Sequence, residues 1–174
     1  DEENRESIGR AYLTLGIDVF SRMIMGFYIS YESPSFFNTG QCILNMIMPK
    51  DDFLKQQNVN GEWSIYGLPR EISTDNAKEF RGLDLTRFCE QYSIQIDWRP
   101  VGRSFYGANV ERVFRTLSSE VHTLSGTTFS NIIHKGNYNS QKNAAMTIGE
   151  FEQWFTELVV NVYHKKEHSE LSMT

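Results

Sequence analysis

Apolar and polar residues alternate along "AYLTLGIDVF", residues 11–20, with Leu13, Leu15, Ile17 and Val19 on one face and Tyr12, Thr14, Gly16 and Asp18 on the other. A period of two is that of a half-buried strand. "SRMIMGFYIS" reads as a second strand, joined to the first by a tight turn near Ser21 and Arg22. Ser33 and Pro34 suit the N-cap and first position of a helix, whose inward residues are expected to be Phe37, Ile43, Leu44 and Ile47 and which ends before Pro49. Residues 50–67 are expected to form a partly ordered loop, "PREIST" a short strand, Lys78 to Tyr92 a helix and "IQIDW" another strand. Ala108 to His122 reads as a helix on Val110, Val113, Phe114, Leu117 and Val121. Gly, Asn and Ser without periodicity mark residues 125–146 as an extended excursion. "TIGE" is a capping box from Thr147 to Glu150, opening a helix with an inward stripe of Ile148, Phe151, Trp154, Phe155, Leu158, Val159 and Val162. The order β-β-α-β-α-β-α-α predicts an α/β domain with a mixed sheet.

Composition narrows the class. A chain of 174 residues with 13% aromatics can bury a sizeable core as one domain, and 40% hydrophobic residues with only 4 Pro exclude disorder and fibrous repeats. Cys42 and Cys89 lie in helix-like patterns without a C-x-x-C partner, which suits buried thiols in a reducing compartment. No apolar run approaches the roughly 20 residues of a membrane span, so a cytoplasmic, soluble protein is expected.

The net charge of -5 argues against a self-sufficient nucleic-acid binder. Its distribution changes that picture. Between Trp98 and Ser119 stand Arg99, Arg103, Arg112 and Arg115 with one acid, Glu111. Glu111 opens the helix after a glycine-containing loop, and Asp75 directly follows a predicted strand, where sites gather at the carboxyl ends of open sheets. Two or three carboxylates converging from different elements are what hard divalent cations require for phosphoryl transfer. Arg115, one turn beyond Glu111, could reach a phosphate. The alternative remains that both acids serve helix-dipole and capping roles and that the arginines are a solvated face. Asp18 is expected to fix the hairpin turn rather than act in chemistry. His164 and His168 are read as surface residues rather than metal ligands.

"GLPREISTDNAKEF" followed by "RPVGRSFYGANVERVFRTL" resembles the catalytic core of the retroviral integrase and DDE transposase superfamily. "IDVFSRMIMGFY", "SGTTFSN" and "NVYHKKEHSEL" are most similar to its TnsB and Mu-like branch. The resemblance covers nearly all of residues 1–174. It implies a ribonuclease H-like fold and an enzyme that cleaves DNA 3′ ends and transfers them to target DNA. It further implies Asp75 and Glu111 as catalytic, metal-binding acids, and two Mg²⁺ (or Mn²⁺) ions as cofactor. Asn76, Arg103, Arg112 and Arg115 are the implied DNA contacts. The expected partners are transposon-end and target DNA, further copies of the chain on DNA, and an accessory transposition ATPase. Two departures stand out. Ala77 replaces a glycine frequent in relatives, and the phrase of the type "IDAT" that carries the family's first acid does not occur. That acid is expected upstream of Asp1, on a strand lying between "AYLTLGIDVF" and "PREIST". The alternatives are a purely hydrolytic nuclease of the same fold and a catalytically inactive core that serves assembly or DNA docking.

Overall fold

The computed structural model describes residues 11–74, 83–98, 108–121 and 146–166. β1 (Tyr12–Ile17) and β2 (Ile24–Ser30) form an antiparallel hairpin, in which Leu13 faces Ile29, Leu15 faces Phe27 and Gly16 faces Gly26. The ladder slips by one residue after Gly16, so that Ile17 meets Ile24 and Met25 is the extra residue. The first strand is shorter than its alternating pattern, because Asp18 already belongs to the turn. Val19 and Phe20 therefore lie outside the apolar face, and Phe20 is 86% exposed.

The helix α1 (Phe36–Ile47) follows, and α2 (Asp51–Gln56) is an element the sequence pattern missed. Its buried Leu54, with Val59 and Trp63 beyond it, anchors the otherwise largely exposed residues 50–67 to the core. The N-cap of α1 is Ser35, whose Oγ accepts from Asn38 N, two residues later than the Ser-Pro signal suggested. That shift, and the close approach described next, turn the helix so that Asn38, Thr39, Cys42, Ile43 and Met46 face inward. Phe37 and Leu44, expected inside, are 55% and 50% exposed.

α1 lies directly on the Gly16–Gly26 pair. A Cβ at Gly26 would sit 2.7 Å from the backbone N of Met46 and 2.8 Å from Asn45 Oδ1. Asn45 Oδ1 in turn accepts from Phe27 N at 3.2 Å. The absence of side chains at these two positions is what admits the helix backbone so near to the strands.

The parallel pair β3 (Glu71–Thr74) and β4 (Gln95–Trp98) flanks α3 (Leu83–Gln91), in register from Glu71 with Gln95 to Thr74 with Trp98. Ile72 and Ile96 pack with Cys42, Ile43, Met46, Leu85, Cys89 and Ile94 into one apolar cluster around α1 and α3. The other face of the hairpin meets α4 (Ala108–Val121) and α5 (Ile148–Glu157). There Phe27, Ile29, Leu54, Trp63, Val113, Leu117 and Phe155 form a second cluster. The hairpin is thus covered on both faces by helices, an α/β arrangement. The long excursion expected at 125–146 lies outside the described residues except for Met146.

α5 opens on the expected capping box: Thr147 N donates to Glu150 Oε2 at 2.7 Å and Glu150 N to Thr147 Oγ1 at 3.2 Å. Beyond Glu157 the chain winds as a π-helix through Leu158–Tyr163. The wider turn advances the buried face, so Val160 and Tyr163 go inside while Val162, expected in the stripe, is 38% exposed.

Lys50 is a buried cation that the sequence pattern concealed. Its Nζ donates to the carbonyls of Asn45 (2.5 Å), Met48 (2.8 Å) and Met46 (3.5 Å) at the carboxyl end of α1, and lies 5.3 Å from the centroid of Trp63. A cation there satisfies carbonyls the helix leaves open and complements its dipole. Burial nonetheless lowers the Lys50 pKa from 10.5 to about 8, with the nearby Cys42 opposing the shift. Burial also raises the Cys42 thiol to about 12, against a backbone hydrogen bond and the Lys50 charge. Between pH 8 and 10.5 the unfolded chain holds the Lys50 proton that the folded chain releases, so stability rises with pH. From pH 9 the Cys42 thiol works in the opposite sense, because the unfolded thiol ionises first. Cys89, also raised by burial, acts in the same sense as Cys42. We expect unfolding free energy, measured by urea titration, to rise by about 0.5 kcal/mol from pH 8 to 9 and then to stop rising. Lys50→Met should remove the rise; an identical rise in the variant would assign it to another group.

Candidate active site

β3 ends at the buried Thr74, paired with Trp98 at the end of the adjacent parallel strand, and the next residues in sequence are Asp75 and Arg99. One pair earlier, Ser73 Oγ donates to Asp97 Oδ2 at 3.2 Å, on the sheet face opposite Ile72 and Ile96. Asp75, Asn76 and Arg103 themselves lie outside the described residues, as does His168.

α4 carries the other candidate acid. Val113 and Leu117 bury one face of this helix, which turns Glu111, Arg112 and Arg115 to solvent. Glu111 sits in the first turn, where a carboxylate complements the helix dipole. Arg115 is one turn further along, about 6 Å by helical rise, so an anion on this face would meet both an acid and a guanidinium. Among the described residues no three His, Cys, Asp or Glu side chains come together as a metal-holding group. The chemistry of Glu111, an exposed carboxylate among arginines, fits an oxygen-preferring divalent ion only in company with further acids.

Asp18 has the structural role expected of it. Its Oδ2 accepts from Ser21 N (2.7 Å) and Ser21 Oγ (2.6 Å), while its backbone closes the turn through Asp18 N to Met23 O and Arg22 N to Asp18 O, each 2.9 Å. Arg22 there adopts φ 63°, the left-handed region uncommon for residues other than glycine, and the carboxylate helps hold it. Asp18→Ala should cost about 1–2 kcal/mol in thermal or urea unfolding. Any wider effect of the substitution should be no larger than that loss of folded protein; a loss of function with unchanged stability would assign Asp18 a role beyond the turn.

His164 corrects the surface reading. Its Nε2 accepts from Ile24 N at 3.1 Å, while Trp63 Nε1 donates to Ile24 O at 2.9 Å and Tyr163 Oη donates to Arg22 O at 2.9 Å. The C-terminal helix thereby clamps the hairpin turn across some 140 residues of sequence. Only the π-helical register of Leu158–Tyr163 delivers Tyr163 and His164 together to that turn, a signal absent from the residue pattern.

Residues 1–126, which contain β1 through α4 and both candidate acids, match the family described as the TnsB C-terminal domain. The chain belongs to this transposase family. Its relatives include the transposon Tn7 transposition protein TnsB of Escherichia coli, 30% identical over 159 residues, covering 88% of this chain and 22% of that protein. The transposase for transposon Tn552 of Staphylococcus aureus is 24% identical over 172 residues, covering 99% of this chain and 33% of that protein. The TnsB-family chain thus spans between a fifth and a third of the length of these relatives. No helix among the described residues is long and apolar enough to cross a membrane.

Proposed function

We propose that the chain is a ribonuclease H-like catalytic core of a DNA transposase, which cuts DNA 3′ ends and joins them to target DNA. The observation that supports it most is a conjunction within the matched segment: a parallel strand pair ending just before Asp75, and an α4 that exposes Glu111 beside Arg112 and Arg115. On this reading Asp75 and Glu111 would hold Mg²⁺ or Mn²⁺, which supplies Lewis-acid activation of the attacking and leaving oxygens. Arg112, Arg115, Arg103 and Asn76 hold the DNA backbone, and their positive charge offsets the repulsion between carboxylates and phosphates.

The reading includes a further strand carrying a third carboxylate. Its support is that β1 and β3 each stand at an open edge of a separate two-stranded sheet among the described residues. A strand inserted between them would pair both edges and join the two sheets into one mixed sheet. Oligomerisation on transposon ends and regulation by an accessory ATPase belong to the same proposal.

The test is Mg²⁺-dependent nicking and joining of DNA by the 174-residue chain and by a version extended before Asp1 with about 30 residues taken from a TnsB relative. Activity gained with the added residues supports a core completed by an upstream strand. Nicking without covalent joining would favour a hydrolytic nuclease, and inactivity of both a core that serves assembly alone.

A further inference from the structure

α5 and the segment after α2 enclose an open groove of about 510 Å³, lined by Asn58, Val59, Met146, Glu150, Gln153, Trp154 and Glu157. The size falls within the roughly 300–1,000 Å³ typical of binding pockets. Glu150, Gln153, Trp154 and Glu157 follow the i, i+3, i+4, i+7 spacing of one helix face. The indole thus stands between two carboxylates, each about one turn away. No lysine or arginine lines the groove among the described residues.

Its walls are held in place. Phe151 stacks on Trp154 with ring centroids 5.8 Å apart, and Gln57 Nε2 bridges to Glu152 Oε2 at 2.9 Å. Asn161 Nδ2 joins the second wall to the helix by donating to Asn60 O (2.7 Å) and to Glu157 Oε1 (2.8 Å). Gly61 packs so close to the π-helix that a Cβ there would collide with Val160. The groove is therefore preformed, which lowers the ordering cost of filling it.

We propose that this groove docks a basic peptide segment of a protein partner, with an arginine laid over Trp154 between Glu150 and Glu157. A guanidinium stacks on an indole and forks onto carboxylates at the same time, which an ammonium does less well. Nucleic acid is disfavoured, because phosphates would face two carboxylates with no cation among the described lining residues. Neither Asp75 nor Glu111 is among the groove's lining residues, and the proposal does not rest on the chemistry proposed for them.

The probe is a fluorescein-labelled peptide, Gly-Arg-Gly-Arg-Gly, with Lys-for-Arg and Glu-for-Arg versions, titrated onto the whole 174-residue chain at low salt. The expected order of affinity is Arg above Lys, with no binding of the Glu peptide, and the Trp154 indole NMR signal should move on titration. Glu157→Lys should weaken the Arg peptide at least tenfold, whereas Glu62→Lys, an equal charge change at an exposed residue outside the groove, should change it less than twofold. Equal losses in the two variants would show general attraction to an acidic chain and overturn the proposal. An unmoved Trp154 signal at saturation would overturn it as well.

Discussion

On the catalytic reading proposed above, Asp75→Asn and Glu111→Gln are each expected to abolish strand transfer in whichever form of the chain joins DNA, while leaving its fold intact. Each substitution keeps the shape of the side chain, exchanges one acceptor oxygen for an amide donor and removes the negative charge that a divalent cation requires. Metal activation of a phosphoryl transfer supplies several kcal/mol, so losing one ligand should slow joining at least a hundredfold, about 3 kcal/mol. For Glu111 the stability side of the expectation rests on exposure. Glu111 lies in solvent on α4 and contributes at most a dipole interaction of about 0.3–1 kcal/mol to the helix. Arg115→Ala, on the same face, should behave differently, weakening DNA binding across sequences and lowering its salt dependence by about one ion. Normal joining by either acid variant would remove the catalytic reading of both.

The second large effect is structural. Gly26→Ala should destabilise the chain by about 2–3 kcal/mol, because the new methyl meets the backbone of α1 at Met46 and the Asn45 carboxamide that holds Phe27 N. The Met46 backbone cannot move without lifting α1 from the hairpin, and the Asn45 carboxamide can turn aside only by giving up its bond to Phe27 N. Gly16→Ala is a matched control on the opposite strand. There the three atoms nearest the methyl all belong to the side chain of Met46, whose flexible thioether can swing away, so the loss should stay near 1 kcal/mol. At about 2–4 °C per kcal/mol for a chain of this size, the two variants should differ in Tm by several degrees. Equal Tm values would mean that α1 does not rest on the ladder as closely as the Gly26–Met46 approach indicates.

Period-two alternation told which residues of β1 face the core, and the capping box told where α5 begins, because both depend on neighbours a few residues apart. The same holds for the Asp18 turn, whose partners Ser21 and Met23 are local. The candidate site was legible in part for the same reason: Glu111, Arg112 and Arg115 follow from the apolar face of α4, which the sequence displays. The motif around Asp75 and Asn76 was legible as a resemblance, and its geometry falls outside the described residues.

What only the tertiary structure decided lies between segments far apart in the chain. The rotation of α1, which exposes Phe37 and Leu44, is dictated by a strand pair that has no side chains at Gly16 and Gly26. The buried Lys50 ammonium is tolerated because a helix end and the Trp63 ring converge on it. The clamp of Tyr163 and His164 on the hairpin turn needs a π-helical advance that no 3.6-residue pattern announces. Local propensity and hydrophobic period are encoded within a few residues of each position, whereas these contacts depend on which backbones can approach one another. That is settled only when the whole core packs.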